Sequence, residues 1–365
     1  MIQARRVTDG VSTPSRRNTA ILTICLCVSA VSLSFSACRD SESGARTDSA
    51  TTPAPRSVSS LAIDPQRVAT IDVPSPTPDL GELNDWVVTT NGTVMMARTE
   101  PGRVFEGTLT ESAIRWSREV GSTKHIDDMA WHDAVGLVLL DSLDRKIVVI
   151  PTGAERTSFP SAHFERDLCV SPTGTIVSTT LSEGLLSQLD KSGRVLNSFG
   201  KRLEYDNQDL DFALNAGHLA CFGDRVYIAF VHPAIVRAYT LDGSLIWESP
   251  MHPGHEALTP EITRAKTPSG FLSIRSSYSV ASLGIGVDRH GRVYVLKSGL
   301  EAVAALTRGS DTVEVFAPNG ESLGDIVLPY RARKIQVVDD TMYTLSKDPF
   351  AFRRIDLAGL QLPGS

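Results

Sequence analysis

GIGVDRHGRVYVL, residues 284–296, followed after a loop by DTVEVFAPNGESLGDIVLP, residues 311–329, decides the fold of this chain. The two segments hold four short apolar runs, at 284–287, 293–296, 313–316 and 325–328. Tight turns rich in Asp, Asn and Gly separate them, at 288–291 and 319–320. Short β-branched and aromatic runs bounded by such residues predict antiparallel strands joined by hairpins.

Outward from this unit the same four-strand phrase recurs. Its second strand is legible at 94–98, 136–141, 175–181, 226–231, 293–297 and 342–347. Its third is legible at 103–109, 146–151, 185–189, 235–241, 312–317 and 351–357. Six copies spaced mostly by about 40 residues match the period of propeller blades, each a four-stranded sheet. Even strand spacing alone would also fit a β-sandwich, but a sandwich does not require six copies of one phrase. Fourth strands follow in five copies, at 114–120, 156–159, 195–199, 245–249 and 325–328. The sixth copy has no room for one. The stretch VATIDV, residues 68–73, precedes the first copy and has no other role. It is expected to complete the sixth blade, closing the ring and removing its open edge. The expected fold is therefore all-β: a six-bladed β-propeller of four-stranded blades over 61–365, closed by an N-terminal strand in the last blade.

GIGVDRHGRVYV with VEVFAPNG, and Asn197-Ser198-Phe199-Gly200 at the end of the third copy, resemble the NHL repeat. The resemblance is to a superfamily. It implies six blades about a central channel but no single activity. Some six-bladed relatives are lactonase-type hydrolases with an axial divalent ion, and others are peptide-amidating lyases.

The N-terminus has a different character. Arg5, Arg6, Arg16 and Arg17 precede an uncharged, largely apolar run at 20–37. A basic head, an apolar stretch and small residues before Cys38 read as a secretory signal over 1–37; a transmembrane helix is the alternative. Phe35-Ser36-Ala37-Cys38 resembles the lipobox of bacterial lipoproteins, with Phe35 where that family usually has Leu. The resemblance implies lipidation, palmitate included, at Cys38. Arg39 in place of Asp implies the outer membrane of the cell envelope, on its periplasmic side or at the cell surface. Residues 38–60, rich in Ser, Thr, Ala and Pro, cannot bury enough apolar surface to order themselves and are expected to be a tether.

The formal net charge is −6, which gives no electrostatic case for nucleic acid. Cys169 and Cys221 both fall on expected innermost strands. They are expected to pack as free thiols, with a disulfide as the alternative in an oxidising compartment.

Links between the first and second strands, and between the third and fourth, are short throughout. The longer links, at 160–166, 201–217, 251–283 and 298–311, all fall in the two classes that share the other face. Long loops on a rigid scaffold mark the expected binding face. A short helix is expected near 300–306, and a hairpin within 251–283. Candidate ligand-face residues are Asp127, Asp128, Arg145, His163, Asp167, His218, His232, Arg275 and Arg331, with Asp85, Glu165, Arg166, Lys297, Arg333 and Lys347 nearby. Of the adjacent pair Asp127-Asp128, only one can face the channel squarely.

His252, His255, Glu256 and Glu261 have metal-ligand chemistry, but Pro253 and Gly254 interrupt them and no third imidazole or thiolate joins them. The chain has no GxSxG, HExxH or phosphate-loop motif. No cofactor is identified and no metal-ligand set can be assembled. The sequence therefore favours an exported, lipid-anchored binding or scaffolding module with a protein, peptide or glycan partner. The alternative is a divalent-metal-dependent hydrolase or lyase working at the central channel.

Overall fold

The computed structural model describes residues 59–74, 83–161, 165, 167–180, 184–205, 211, 214–252, 261–266, 272–277, 279–300, 302–347 and 350–362. The chain first forms β1 (Ser60–Ala62) and β2 (Val68–Ile71). Blade one is β3 (Leu83–Val88), β4 (Thr93–Arg98), β5 (Gly102–Leu109) and β6 (Ile114–Thr123). Blade two is β7 (Asp128–His132), β8 (Gly136–Asp141), β9 (Lys146–Ile150) and β10 (Thr157–Pro160). Blade three is β11 (Leu168–Val170), β12 (Ile176–Thr179), β13 (Leu186–Leu189) and β14 (Val195–Phe199). Blade four is β15 (Gly217–Phe222), β16 (Arg225–Phe230), β17 (Ile235–Thr240) and β18 (Leu245–Pro250). A separate hairpin, β19 (Glu261–Lys266) with β20 (Leu272–Ser277), interrupts the link to blade five. Blade five is β21 (Ser282–Val287), β22 (Val293–Lys297), β23 (Ser310–Phe316) and β24 (Ser322–Ala332), with helix α1 (Ala302–Arg308) crossing between its middle strands. Blade six is β25 (Lys334–Val338), β26 (Thr341–Lys347) and β27 (Phe350–Asp356).

Its fourth strand is β2, which pairs antiparallel with β27, Val68 opposite Ile355 and Ile71 opposite Phe352. The inserted hairpin and the crossing helix also appear where the sequence places them. The strand β1 is an addition the sequence does not announce. It pairs parallel with β24, Ser60 opposite Asp325, and makes blade five a five-stranded sheet. The described residues thus begin just inside the stretch expected to be tether.

The apolar residues sort by strand alternation. Along β3, Trp86 and Val88 join the cluster between blades six and one, whereas Val87 joins the cluster between blades one and two. Along β4, Val94 and Met96 take the first seam, and Met95 and Ala97 the second. Among the described residues each of the six seams between consecutive blades holds one such cluster. Middle strands are therefore buried on both sides and read as unbroken apolar runs: β8 and β22 are buried throughout. Outer strands such as β6 are largely exposed. This layering is why the second and third strands are the easiest to see in the sequence.

Six hairpin turns share one geometry. The N–H of Gly92, Gly174, Gly193, Gly243, Gly291 and Gly320 donates to the carbonyl three residues earlier. All six glycines have positive φ, as the closing position of such a turn requires. At Gly320 there is also no room: a Cβ would lie 2.6 Å from the Trp247 indole of blade four.

The structure corrects the cysteine expectation. Cys169 of β11 and Cys221 of β15 are bridged, with Cα atoms 5.6 Å apart. The free-thiol reading fails because the innermost strands of consecutive blades lie side by side around the channel, which brings the two residues together. The bridge closes a loop of 52 residues, for which chain entropy gives a stabilisation of about 4 kcal/mol. The double variant Cys169→Ala/Cys221→Ala is therefore expected to lose about 2–5 kcal/mol in denaturant unfolding. Adding reductant to the wild type should remove a similar amount. A loss below about 1 kcal/mol would contradict a structural role for the bridge.

Candidate functional site

Each blade's innermost strand enters from the link that leaves the preceding blade's outer strand. Its first residues therefore lie at the end of the channel shared with the long connections, 200–216, 251–281 and 298–309. The opposite face has only short turns, none longer than 151–156 among the described connections.

At that shared end one residue per blade forms a ring. Asp85 comes from blade one, Asp128 from blade two, Asp167 from the lead into blade three, His218 from blade four and Lys334 from blade six. Blade five contributes Gly284, with no side chain. A cavity of about 170 Å³ runs through the channel, lined in part by Asp128, Asp167, His218 and Lys334. The wall beside blade five is narrow: a Cβ on Gly286 would lie 2.7 Å from the Val337 backbone nitrogen.

The Lys334 ammonium donates to Asp85 Oδ1 and, at 3.1 Å, to Asp128 Oδ1. Backbone N–H groups hold the carboxylates in place. Trp86 N–H donates to Asp85 at 2.8 Å, Leu168 N–H to Asp128 at 2.8 Å, and Leu219 N–H to Asp167 at 2.9 Å. The last two bonds cross from one blade to the next. Asp167 Oδ2 lies 3.2 Å from His218 Nδ1. That contact makes Nδ1 the protonated nitrogen of the neutral ring and leaves Nε2 as its acceptor.

The ring is electrostatically tense. Asp85 is 5% exposed and Asp128 4%. Burial pushes the Asp85 carboxyl above its ordinary range, against the pull of Lys334. Burial and then the Asp167 charge push Asp128 well above it. Burial alone would make Lys334 a weaker base. The charges of Asp85, Asp128 and Asp167 outweigh that and hold its ammonium more firmly than in water. Three carboxylates face one ammonium, and Asp85 Oδ2 has no hydrogen-bond partner among the described residues. A single internal ammonium is thus shared by Asp85 and Asp128 and offsets only one of their two charges. No group of three or more described His, Cys, Asp or Glu residues is arranged to hold a metal ion.

The sequence-derived candidates divide. Asp128, Asp167 and His218 meet in the ring. The Asp127-Asp128 pair splits as strand alternation requires: Asp127 accepts from Ser142 N–H at 2.8 Å and lies 3.3 Å from His125. Arg145 sits in the β8–β9 turn with φ of 51°. His232 is buried against the Ser279 carbonyl, 3.1 Å away, and burial lowers its basicity. Arg331 is exposed on β24. None of these four joins the ring. Arg275 lies on β20, but its side chain is outside the described residues, as are His163 and Cys38.

Within the HPGHE stretch, His252 packs against Glu314 through a 2.6 Å contact to Nδ1, and His255 and Glu256 lie outside the described residues. Glu314 is fully buried and also accepts from Ser322. Lys297 reaches Asp325 and the His252 carbonyl. This network ties the start of the 251–281 insertion to blade five.

Lys334 is the member that sequence reasoning missed. The signal was present in the repeat. Trp86, Met129, Leu168, Leu219, Ile285 and Ile335 occupy equivalent inner-strand positions, and the ring residue stands immediately before each.

No known family profile matches the chain, and no curated protein sequence matches it. Solved structures do. A streptogramin B lyase superposes with a TM-score of 0.50 at 11% identity, covering 80% of this chain and 87% of that one. A structural-genomics protein of unknown function from Bacteroides thetaiotaomicron superposes with a TM-score of 0.50 at 11% identity, covering 79% of this chain and 75% of that one. At such identity these likenesses establish the fold alone: the chain is a six-bladed β-propeller.

Proposed function

We propose that this protein is an exported, lipid-anchored propeller of NHL-repeat type that binds a protein, peptide or glycan partner on its long-loop face. One observation carries the reading. The long connections and the charged ring open on the same face, and the other face is trimmed to hairpin turns. The lipobox-like Phe35-Ser36-Ala37-Cys38 supports the anchor, at the outer membrane of the cell envelope, and the Cys169–Cys221 bridge fits an oxidising compartment.

Crosslinking tests the binding face. Leu143 in the β8–β9 link and Phe350 at the start of β27 are exposed at the long-loop face, and Asn319 is exposed on a short turn. Photo-crosslinking residues at 143 and 350 are expected to trap a discrete partner in the producing cell, and one at 319 is not. Adducts from 319 alone, or from none of the three, would sink the reading.

The Asp167–His218 contact favours one second reading, a metal-dependent hydrolase or lyase acting at the channel. An imidazole oriented by a carboxylate is equipped to move a proton. On that reading a divalent ion would have to displace the Lys334 ammonium. Saturable binding of Mg²⁺ or Mn²⁺ lost in Asp128→Asn would favour it over the first.

A further inference from the structure

The outer strands of blades three and four depart from the pattern of the others. Each opens with two consecutive exposed aliphatic residues at the same place after its turn. Val195 and Leu196 are 47% and 48% exposed on β14, and Leu245 and Ile246 are 54% and 38% exposed on β18. The corresponding residues of blade two are Thr157 and Ser158, and those of blades one and five include the buried Ile114 and Leu323. The two pairs are neighbours, because Asn197 of β14 donates to the Asp242 carbonyl in the turn before β18 at 3.2 Å. The carboxylates in these turns are occupied by local bonds, Asp190 with Ser192 and Arg194, and Asp242 with Thr240 and Ser244. Pointing alternately to the two faces of their strands, these four side chains form a discontinuous apolar strip along the short-turn rim of two adjacent blades.

The course of the chain indicates what covers it. Outer strands run from the short-turn face towards the long-loop face, and β1 is parallel to the outer strand of blade five. The chain therefore reaches Ser60 from the short-turn face, on the blade next to the strip. Only residues 39–59 separate Cys38 from this point. If it acts as the tether its composition suggests, a segment of that length has a root-mean-square span of roughly 25 Å.

We propose that Val195, Leu196, Leu245 and Ile246 rest in the lipid surface beside the anchor, so that the long-loop face points away from the membrane. This rests on the lipid-anchor reading above. Aliphatic side chains at the headgroup–acyl boundary add apolar burial to an acyl anchor. Together they would give the propeller a fixed orientation, which a flexible tether alone would not.

The experiment uses the full chain in vesicles of phosphatidylethanolamine and phosphatidylglycerol. Leu196→Cys, Leu245→Cys and, on the opposite face, Leu143→Cys carry an environment-sensitive fluorophore; Cys25 and Cys27 leave with the signal, Cys38 carries the lipid and the bridged cysteines do not react. At 196 and 245 the emission is expected to shift to the blue on vesicle binding. Iodide quenching there should fall several-fold, and a lipid-borne quencher should act. At 143 neither should change. Protein that floats with the vesicles while 196 and 245 stay in water overturns this proposal and leaves the anchor standing. Burial of 143 instead also overturns it. A blue shift already present without vesicles would assign the strip to a second copy of the chain. Protein that does not float at all overturns the anchor reading, and the orientation with it.

Discussion

Lys334→Met is expected to destabilise the propeller by about 3 kcal/mol at neutral pH, the lower end of the range for breaking a buried ion pair. The lower end applies because the lysine side chain retains 31% exposure towards the channel. The loss arises from what is left behind: Asp85 and Asp128 remain buried with no cation beside them. Removing Asp85 as well should therefore recover part of the loss, and Lys334→Met/Asp85→Asn should cost less than the two single changes added together. The pH dependence has a definite sign. The Asp128 carboxyl titrates well above its unfolded value in the native state. Between those two values the folded chain binds more protons than the unfolded one, so this group's contribution falls as pH rises through the window. Without Lys334 both carboxylates should hold protons to still higher pH. The gap between wild type and variant should accordingly narrow on acidification, in paired urea titrations. A constant gap from pH 7 to 5 would show that the ammonium does not stabilise this ring through charge.

Deleting residues 68–71 is the other large expected effect. The strand β2 supplies the outer edge of blade six, and its Ile71 is 2% exposed in the seam with Trp86 and Phe352. Beyond it, Asp72 forms a parallel bridge with Ala113 of blade one and exchanges backbone hydrogen bonds with Ser112 and Ile114. Before it, Arg67 donates to the carbonyl of Ala358 at 2.8 Å. The deletion thus removes a ladder and a core side chain, and releases two attachments. Ile71→Ala alone should cost about 2–5 kcal/mol. The deletion should lower Tm by roughly 10 °C or more and broaden the transition, as blade six detaches before the rest. A cooperative melt at unchanged temperature would show that the ring does not depend on this strand.

The fold was legible because its information is redundant. A middle strand buried on both sides reads as an apolar run, and six such runs at one spacing leave few architectures. Even the closing strand could be found by counting, since five fourth strands were present and one was absent. The site was half legible. Asp85, Asp128, Asp167 and His218 could be seen flanking the inner strands. Lys334 sits in an Arg- and Lys-rich stretch, residues 331–334, that looks like ordinary solvated charge. Only the phase of the inner strand, one residue before each apolar anchor, sets it apart. The Cys169–Cys221 bridge is not legible in the sequence, although both cysteines fall on innermost strands of consecutive blades. What was missing was the lateral closeness of those strands around the channel. The three-residue β1 carries no periodicity at all, and its pairing with β24 depends on where the chain already lies.

Ring closure also sets an order of assembly. Val68 pairs with Ile355, so one of the first strands to be synthesised waits for nearly the last. Until then blades one to five form an open arc. Non-local contacts of this kind are slow, because loop closure must precede their gain. The mouth of the channel inherits that delay: Lys334 comes from blade six, and its partners Asp85 and Asp128 come from blades one and two. The charged ring therefore cannot exist on a partial chain. Any ligand that reads this mouth reads a finished molecule, which gives the protein a built-in check that exposed loops alone could not supply.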